Sequence, residues 1–443
     1  MSGILSNTTF RRLFAAQVVA LTGTGLLTVA LGLLAYDLAG QSAGAVLGTA
    51  YTIKMIAYVG LSPVAGAIAA RLPRKQLLIV MDLVRAGVAL CLPFVDAVWQ
   101  VYVLIFLLQS ASATFTPAFQ AVIPDVLPHE ADYTRALSLS RLAYDLENLV
   151  SPALAGLLLL VMDFHWLFAG TVVGFLWSTL LIQIADVPPL KTDIQRPFFE
   201  RVTRGSWIYL ATPRLRGLLA FNFAAASAGA FVLVNTVVMV RVIYDLGESH
   251  LAYAMAAFGA GSMLAALSIP RLLDYVSDRK VMSLSAFALS VLTLSHAMWF
   301  LVNGALPWHL FLLAWLAVGV FYSAILTPSG RLLRRSAHSE DRPAVFTAQF
   351  ALSHACWLVT YPMAGWVAKL ASLPVAMGVL GIMALIATVT GLRLWPQSGE
   401  KNVAHSHPDL PEDHPHLKAH NGARHHLHEF VIDDAHRVWP TQG

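Results

Sequence analysis

Charge and cysteine are scarce in this sequence. Only 12% of its 443 residues are Asp, Glu, Lys or Arg, against 57% hydrophobic, a balance that water-soluble globular domains do not carry. The two cysteines, Cys91 and Cys356, each lie inside an apolar run. They therefore form no disulfide framework or thiolate metal site and read as small buried hydrophobes. No Gly-rich loop ending in Lys-Ser or Lys-Thr occurs, which argues against an ATP-driven activity of this chain alone. The net charge is +4, but the basic residues are spread through loops rather than gathered on a soluble face, which argues against nucleic acid as a partner.

What is present is apolar sequence in long runs. A bilayer core about 30 Å thick takes roughly 20 helical residues to cross. Runs punctuated by Gly, Pro and charge predict spans over 13–36, 45–70, 76–95, 99–121, 136–162 and 164–184, then 217–243, 250–270, 281–302, 307–327, 344–367 and 374–395. Arg11 and Arg12 precede the first run, which is too long for a signal-peptide core, so it is expected to be a retained helix. The expected organisation is an N-terminal six-helix half (1–184), an inter-half linker (185–216), a second half (217–395) and a polar tail (396–443).

Alternate loops differ sharply in charge. One set holds Arg71, Arg74, Lys75, Arg135, Arg201, Arg204, Arg214, Arg279, Lys280, Arg331, Arg334, Arg335 and Arg342, while the other offers Arg241 and Lys369. The positive-inside rule then predicts that both termini lie in the cytoplasm, with an inner membrane as the expected location. The halves echo each other: Glu130 and Glu340, and Pro152 and Pro362, are 210 residues apart, and the Arg74-Lys75 pair recurs as Arg279-Lys280. Two parallel repeats about an axis along the membrane normal, with a site between them, fit this pattern.

Ionisable residues inside spans must face protein or water, because each costs roughly 2.5–3.5 kcal/mol at the bilayer centre on insertion scales. On the fifth span Arg141, Asp145 and Asn148 share a stripe, with Pro152 continuing it, and Glu147 lies on nearly the opposite face with Ser140, Tyr144 and Ser151. One of these acids could exchange a proton; the alternative is a structural Arg141–Asp145 pair beside a hydrogen-bonded Glu147. Lys54 sits between Tyr51 and Tyr58, where cation-π contact offsets part of its burial. Asp82 and Arg85, one turn apart, are expected to pair. His354 shares a stripe with Thr347 and Tyr361, and His296 lies further out; each reads as a hydrogen-bonded core residue, with solute contact as the alternative.

After Trp395 the composition turns polar. Nine of the 16 histidines fall in the tail: His405, His407, His414, His416, His420, His425, His426, His428 and His436. The first eight, seven of them in His-x-His or adjacent spacings, are candidate ligands for one divalent ion, with Asp409, Glu412, Asp413 and Glu429 as oxygen donors. Such a set suits nickel, cobalt, zinc or copper(II). The alternative is a solvated tail whose imidazoles merely titrate near neutrality. The segment ends in Phe430-Val431-Ile432-Asp433-Asp434 and Trp439, residues able to dock on the membrane domain.

These residues resemble the major facilitator superfamily, and within it the drug:proton antiporter branch that includes macrolide and enterobactin exporters. The clearest piece is Gly66 to Lys75, which looks like the loop motif of a glycine, an acid and then basic residues, with Gly66, Arg71, Arg74 and Lys75 in place. Ala70 stands at the acid position and Pro73 at the second glycine, and the Asp82–Arg85 pair is a candidate substitute for the missing charge latch. A second piece, Phe115 to Gly156, ends in Ser151-Pro152, which resembles the Gly-Pro motif of exporters. The resemblance implies an all-α membrane protein with the major facilitator fold: twelve transmembrane helices in two six-helix halves related by a pseudo-twofold axis along the membrane normal. It further implies a transporter rather than an enzyme, without a cofactor, and a path lined by Gln17, Thr24, Thr28, Gln109, Ser112, Thr116, Asn222, Asn235 and Tyr322. With its tail, the layout looks like the Nre-type nickel-resistance exporters. The leading expectation is proton-coupled export of nickel or cobalt. The alternatives are efflux of a drug, macrolide or siderophore-like solute, and a metal-sensing receptor that transports nothing. The expected partners are lipid, a small solute or metal ion, and the proton, with the chain acting as a monomer.

Overall fold

The computed structural model describes residues 3–39, 43–69, 72–159, 161–189, 197–395, 402–406, 423, 425–434 and 436–440. Its helices are α1 (Thr8–Ala39), α2 (Ala43–Ile56), α3 (Ser62–Ala69), α4 (Arg74–Cys91), α5 (Val98–Val126), α6 (Glu130–Leu158), α7 (His165–Ile184), α8 (Phe198–Ala211), α9 (Pro213–Val238), α10 (Glu248–Leu272), α11 (Asp278–Asn303), α12 (Trp308–Leu326), α13 (Ser329–Arg335), α14 (Arg342–Leu370) and α15 (Leu373–Leu394). Among the described residues nine stretches are long and apolar enough to cross a bilayer on those grounds alone. The other three crossings are α6, α14, and α2 with α3. The last pair is two short helices joined through a π-helical turn at Ala57–Leu61, and α6 carries the charges named above. Twelve transmembrane helices in two six-helix halves result, ending within a few residues of the predicted spans.

Helix ends follow local chemistry. Ser372 accepts from the Val375 N–H at the start of α15, and Gln100 folds back to accept from the N–H groups of Asp96 and Ala97 before α5. Pro213 opens α9, where its missing N–H costs nothing. Hydroxyls inside the spans turn to their own helix, as Thr22, Thr24 and Thr28 do to the carbonyl four residues back, which keeps them satisfied without water.

The first half packs through α1 with α7 and α6, and through α4 with α5 and α7; the second packs through α10 with α12, and through α15 with α9 and α11. The halves meet along α6 with α10, and along α14 with α2, α3 and α5. Gly25 shows why Ser151 is tolerated in place of a glycine. A Cβ on Gly25 would fall 2.1 Å from the Ser151 Cβ, so α1 supplies the absent side chain where α6 does not.

Two elements were not expected. The linker contains α8, which buries Arg204, Gly205, Ile208 and Tyr209 and packs on both α14 and α3. The tail adds two antiparallel strands to an otherwise all-helical chain, β1 (Asn402–Ser406) and β2 (His425–Glu429), with His405 opposite His426. Beyond them Phe430, Val431 and Ile432 are buried, and Phe430 and Ile432 join the core of the second half. The face bearing this tail, the linker and the arginine-rich loops is called the basic face below.

Candidate functional site

At mid-depth, side chains of the two halves meet. Arg141 stands 11 residues into α6, about 16 Å from its start at 1.5 Å per residue. It donates from Nε and Nη2 to the Ser262 hydroxyl on α10, at 3.3 and 3.2 Å, and its guanidinium lies 5.1 Å from the Tyr322 ring centre on α12. Beside this pair the π turn between α2 and α3 carries Tyr58 to the other half. Its hydroxyl donates to Gln109 Oε1 at 2.7 Å, and its ring meets Phe350 and His354 of α14, at 4.8 and 4.7 Å between centres. His354 Nδ1 donates to its own Phe350 carbonyl at 2.7 Å, an arrangement that leaves Nε2 as the acceptor of a neutral ring. Lys54 rests over Tyr58, 5.5 Å from its centre, and is close enough to the half-buried Glu147 for their charges to interact.

Lys54, Tyr58, Gln109, Glu147 and His354 thus form one layer between the halves, and Arg141 with Ser262 and Tyr322 makes a separate contact across them. A carboxylate in the field of an ammonium can keep its charge or bind a proton or a cationic group in its place. Asn222 on α9 is 4% exposed, with neither amide atom hydrogen-bonded. A buried amide normally finds a partner, so this one is suited to bind water or solute.

At the basic face the halves are tied by charge. Asp125, at the end of α5, accepts from Arg74 at 2.7 Å within its own half and from Arg342, at the start of α14, at 2.8 Å across the gap. Glu130, at the start of α6, receives Arg331, at 2.8 Å, and Arg335 of α13; both arginines also reach Asp278 of α11, at 3.4 and 2.8 Å. Arg334 donates to the Pro128 carbonyl. Gly66 lies against Thr347 of α14, where a Cβ would come within 2.8 Å of its side chain, so the motif glycine allows the halves to close.

Other expected residues have different surroundings. Asp82 and Arg85 do pair, but inside the first half: Ser178 donates to Asp82 at 2.7 Å, and Arg85 lies over the rings of Phe115 and Phe175. This pair does not replace the latch, because it does not reach the other half; Asp125 makes the cross-half tie. Asn235 donates to the Ala364 carbonyl at 3.1 Å, joining α9 to α14. Gln17 accepts from Ser140 at 3.0 Å, joining α1 to α6; Ser112 is buried in α5. His296 lies within the second half among Phe311 and Trp315. Lys75 follows Arg74 in the first turn of α4. Arg71, the side chains of Asp145, Asn148, His405 and His428, and all of His407, His414, His416 and His420 lie outside the described residues. Among those described, no three His, Cys, Asp or Glu gather as a metal site, and His425 and His426 bond to Ser406 and the Ala423 carbonyl. The residues that sequence reasoning missed are Asp125 and Asp278; of the arginines facing them, Arg74 was named in the loop motif, and Arg331, Arg335 and Arg342 were read only as loop charge. The signal was available: Asp125 and Asp278 stand at the ends of apolar runs beside arginine-rich loops, where a carboxylate partly shielded from water is expected to meet a cation.

Residues 13–269 and 218–429 match the Major Facilitator Superfamily. Macrolide efflux protein A of Streptococcus pyogenes is 28% identical over 191 residues, 42% of this chain and 46% of that protein, so the match spans about half the length of that relative. An uncharacterized MFS-type transporter of Bacillus subtilis is 26% identical over 46% of this chain and 50% of its own length. Among solved structures, a bacterial homologue of the iron transporter ferroportin, in an outward-facing state, superposes with a TM-score of 0.71 at 14% identity, covering 87% of this chain and 99% of that one.

Proposed function

Because the chain belongs to the major facilitator superfamily, we propose that it is a secondary active exporter, driven by proton antiport, that carries an amphipathic organic solute out of the cytoplasm. The observation that carries this reading is the mid-depth layer in which Lys54, Tyr58 and Glu147 of one half meet His354 of the other. Glu147 supplies the carboxylate that trades a proton for solute. The rings of Tyr58, Phe350 and His354 offer flat apolar area of the kind organic solutes use. Lys54 and Arg141 set two positive charges at this depth, which disfavours a bare divalent ion. The positive-inside rule supports a cytoplasmic basic face and cytoplasmic termini in an inner membrane, and the macrolide efflux relatives support export. A path within one chain supports a working monomer.

The test is uptake of radiolabelled macrolide into everted vesicles under an imposed proton gradient. Wild type is expected to accumulate it, and Glu147→Gln to lose gradient-driven uptake while keeping solute exchange at equilibrium. Wild-type vesicles that take up no macrolide, or a Glu147→Gln variant that concentrates it equally well, would overturn the reading.

A second reading, export of nickel or cobalt with capture by the tail, is favoured by one observation: nine of 16 histidines lie there, with His405 and His426 set opposite each other. It expects cells lacking the protein to accumulate nickel or cobalt at unchanged macrolide tolerance. The reverse pattern removes it.

A further inference from the structure

We propose that the segment from Phe430 to Trp439 is an intramolecular clamp on the chain that carries the basic-face ties, and that by ordering this chain it favours the state in which the halves are closed there. It goes beyond transport itself and rests on the reading that the halves separate at this face.

The closure depends on the chain from Arg335 to Arg342. Arg335 holds Glu130 across the gap, and Arg342 holds Asp125. Holding each arginine in one geometry costs up to about 2 kcal/mol of rotamer entropy, and ordering a mobile backbone would add to that cost. The tail segment fixes both ends. At the first, Arg214 donates to the Arg335 carbonyl at 2.6 Å, to Ser336 Oγ at 2.7 Å and to the Phe430 carbonyl at 3.5 Å, with Trp439 stacked below its guanidinium at 5.6 Å. At the second, Arg204 of α8 grips both oxygens of Asp341, at 3.2 and 2.9 Å, and reaches Asp434 of the tail at 2.7 Å. Between them Asp433 accepts from His338 at 3.2 Å and from His436 at 2.8 Å.

Apolar burial anchors the segment. Phe430, Val431 and Ile432 are 2%, 8% and 0% exposed, and the Phe430 ring meets His436 and Trp439 at 4.8 and 5.0 Å. The tail's named contacts are to α8 and the second half, and α8 packs on α14 through Gly205 and Tyr209, so the segment acts on the closure through the chain from Arg335 to Arg342. Ordering that chain in advance lowers the entropy cost of the two ties it carries, which is how the segment biases the equilibrium towards the closed state.

The experiment reads the gap directly. Spin labels are placed at His129→Cys and Tyr275→Cys, exposed positions on the two halves of the basic face, in a background without Cys91 and Cys356, and distances are measured by electron double resonance in nanodiscs. Truncation after Glu429, and separately Asp434→Lys in the full chain, are each expected to raise the long-distance population relative to the short by about tenfold, the scale of a lost charge-assisted contact. An unchanged distribution in both variants overturns the clamp. Asp125→Asn is the reference. If it lengthens the distances while the tail variants do not, the clamp alone is wrong; if it also leaves them unchanged, separation at this face falls with it.

Discussion

The Asp125 carboxylate links two arginines on either side of the gap, and its replacement by Asn gives a quantitative test of how the basic face is held. Arg74 and Asp125 belong to the same half, so the cross-half contribution is the Arg342 contact at 2.8 Å, between side chains that are 19% and 18% exposed. Truncating one member of a well-buried charge pair costs about 2–5 kcal/mol, and partial exposure argues for the low end. In Asp125→Asn, Arg74 and Arg342 also face each other without the negative charge between them. About 2 kcal/mol against the closed state corresponds to roughly a thirtyfold rise in the open-to-closed ratio. Thr347 reports on this, because it is 6% exposed and lies against Gly66 at the seam. With Thr347→Cys in a background free of Cys91 and Cys356, the rate of modification by a membrane-impermeant maleimide from the basic face should rise by about that factor. Arg342→Gln should raise it similarly, and the double variant no further than either. Equal rates in all variants, or effects of the two changes that simply add, would show that Asp125 and Arg342 do not close the seam through each other.

Two further outcomes follow from the same geometry. Gly25→Ala places a methyl 2.1 Å from the Ser151 Cβ, so melting of the detergent-solubilised protein should shift down by an overpacking cost of about 1–3 kcal/mol, and Ser151→Gly should restore it; no shift would mean that α1 and α6 do not pack this closely. Docking of the tail should weaken as pH rises. The Asp433 hydrogen bond raises the His338 pKa, with Glu340 and Asp341 acting in the same direction, so its contribution is complete below the ordinary histidine value of about 6.5 and is lost as pH climbs through the raised value. Asp433 is held well below the usual carboxylate range by His338 and His436, against the opposing effect of burial, so its own contribution fails only in acid, below about pH 4. Protease cleavage after Arg437 should accordingly speed up from pH 6 to pH 8.5, and a rate change that survives His338→Gln would assign the effect elsewhere.

The crossings were legible because lipid demands long apolar runs and the loops between them carry their own charge signature. The shorter elements carried no such signal. Helix α8 is amphipathic and sits in a charged linker, and its apolar side is explained only by α14 and α3 beside it. The mid-depth layer was half visible: Lys54 and Glu147 stood out as charges inside spans, but nothing in the spacing said that a π turn would carry Tyr58 to His354. The basic-face ties were hidden for a different reason. Arg331, Arg335 and Arg342 read as orientation signals, a role that any loop arginine satisfies, and only the meeting of distant loops shows that Glu130, Asp278 and Asp125 are their partners.

How the two kinds of contact are distributed bears on how the molecule can move. Each half is internally cemented by close helix packing, as where Gly25 meets Ser151 or Arg85 is sandwiched between Phe115 and Phe175; loss of such buried contacts costs several kcal/mol. The named ties between the halves at the basic face are instead ion pairs at an aqueous edge, where Glu130 is 38% and Arg335 25% exposed. Water can replace such partners when they separate, so each tie is worth about 1–2 kcal/mol, the less exposed Asp125–Arg342 pair at the upper end, rather than the several a fully buried pair would cost to break. A few of them acting together keep the face closed while leaving the alternative state within the roughly 5 kcal/mol that ligand binding can supply. Replacing Glu130 and Arg335 by a leucine pair would remove that reversibility. The closed face would persist, each half would stay intact, and transport would stop at the step that opens this seam.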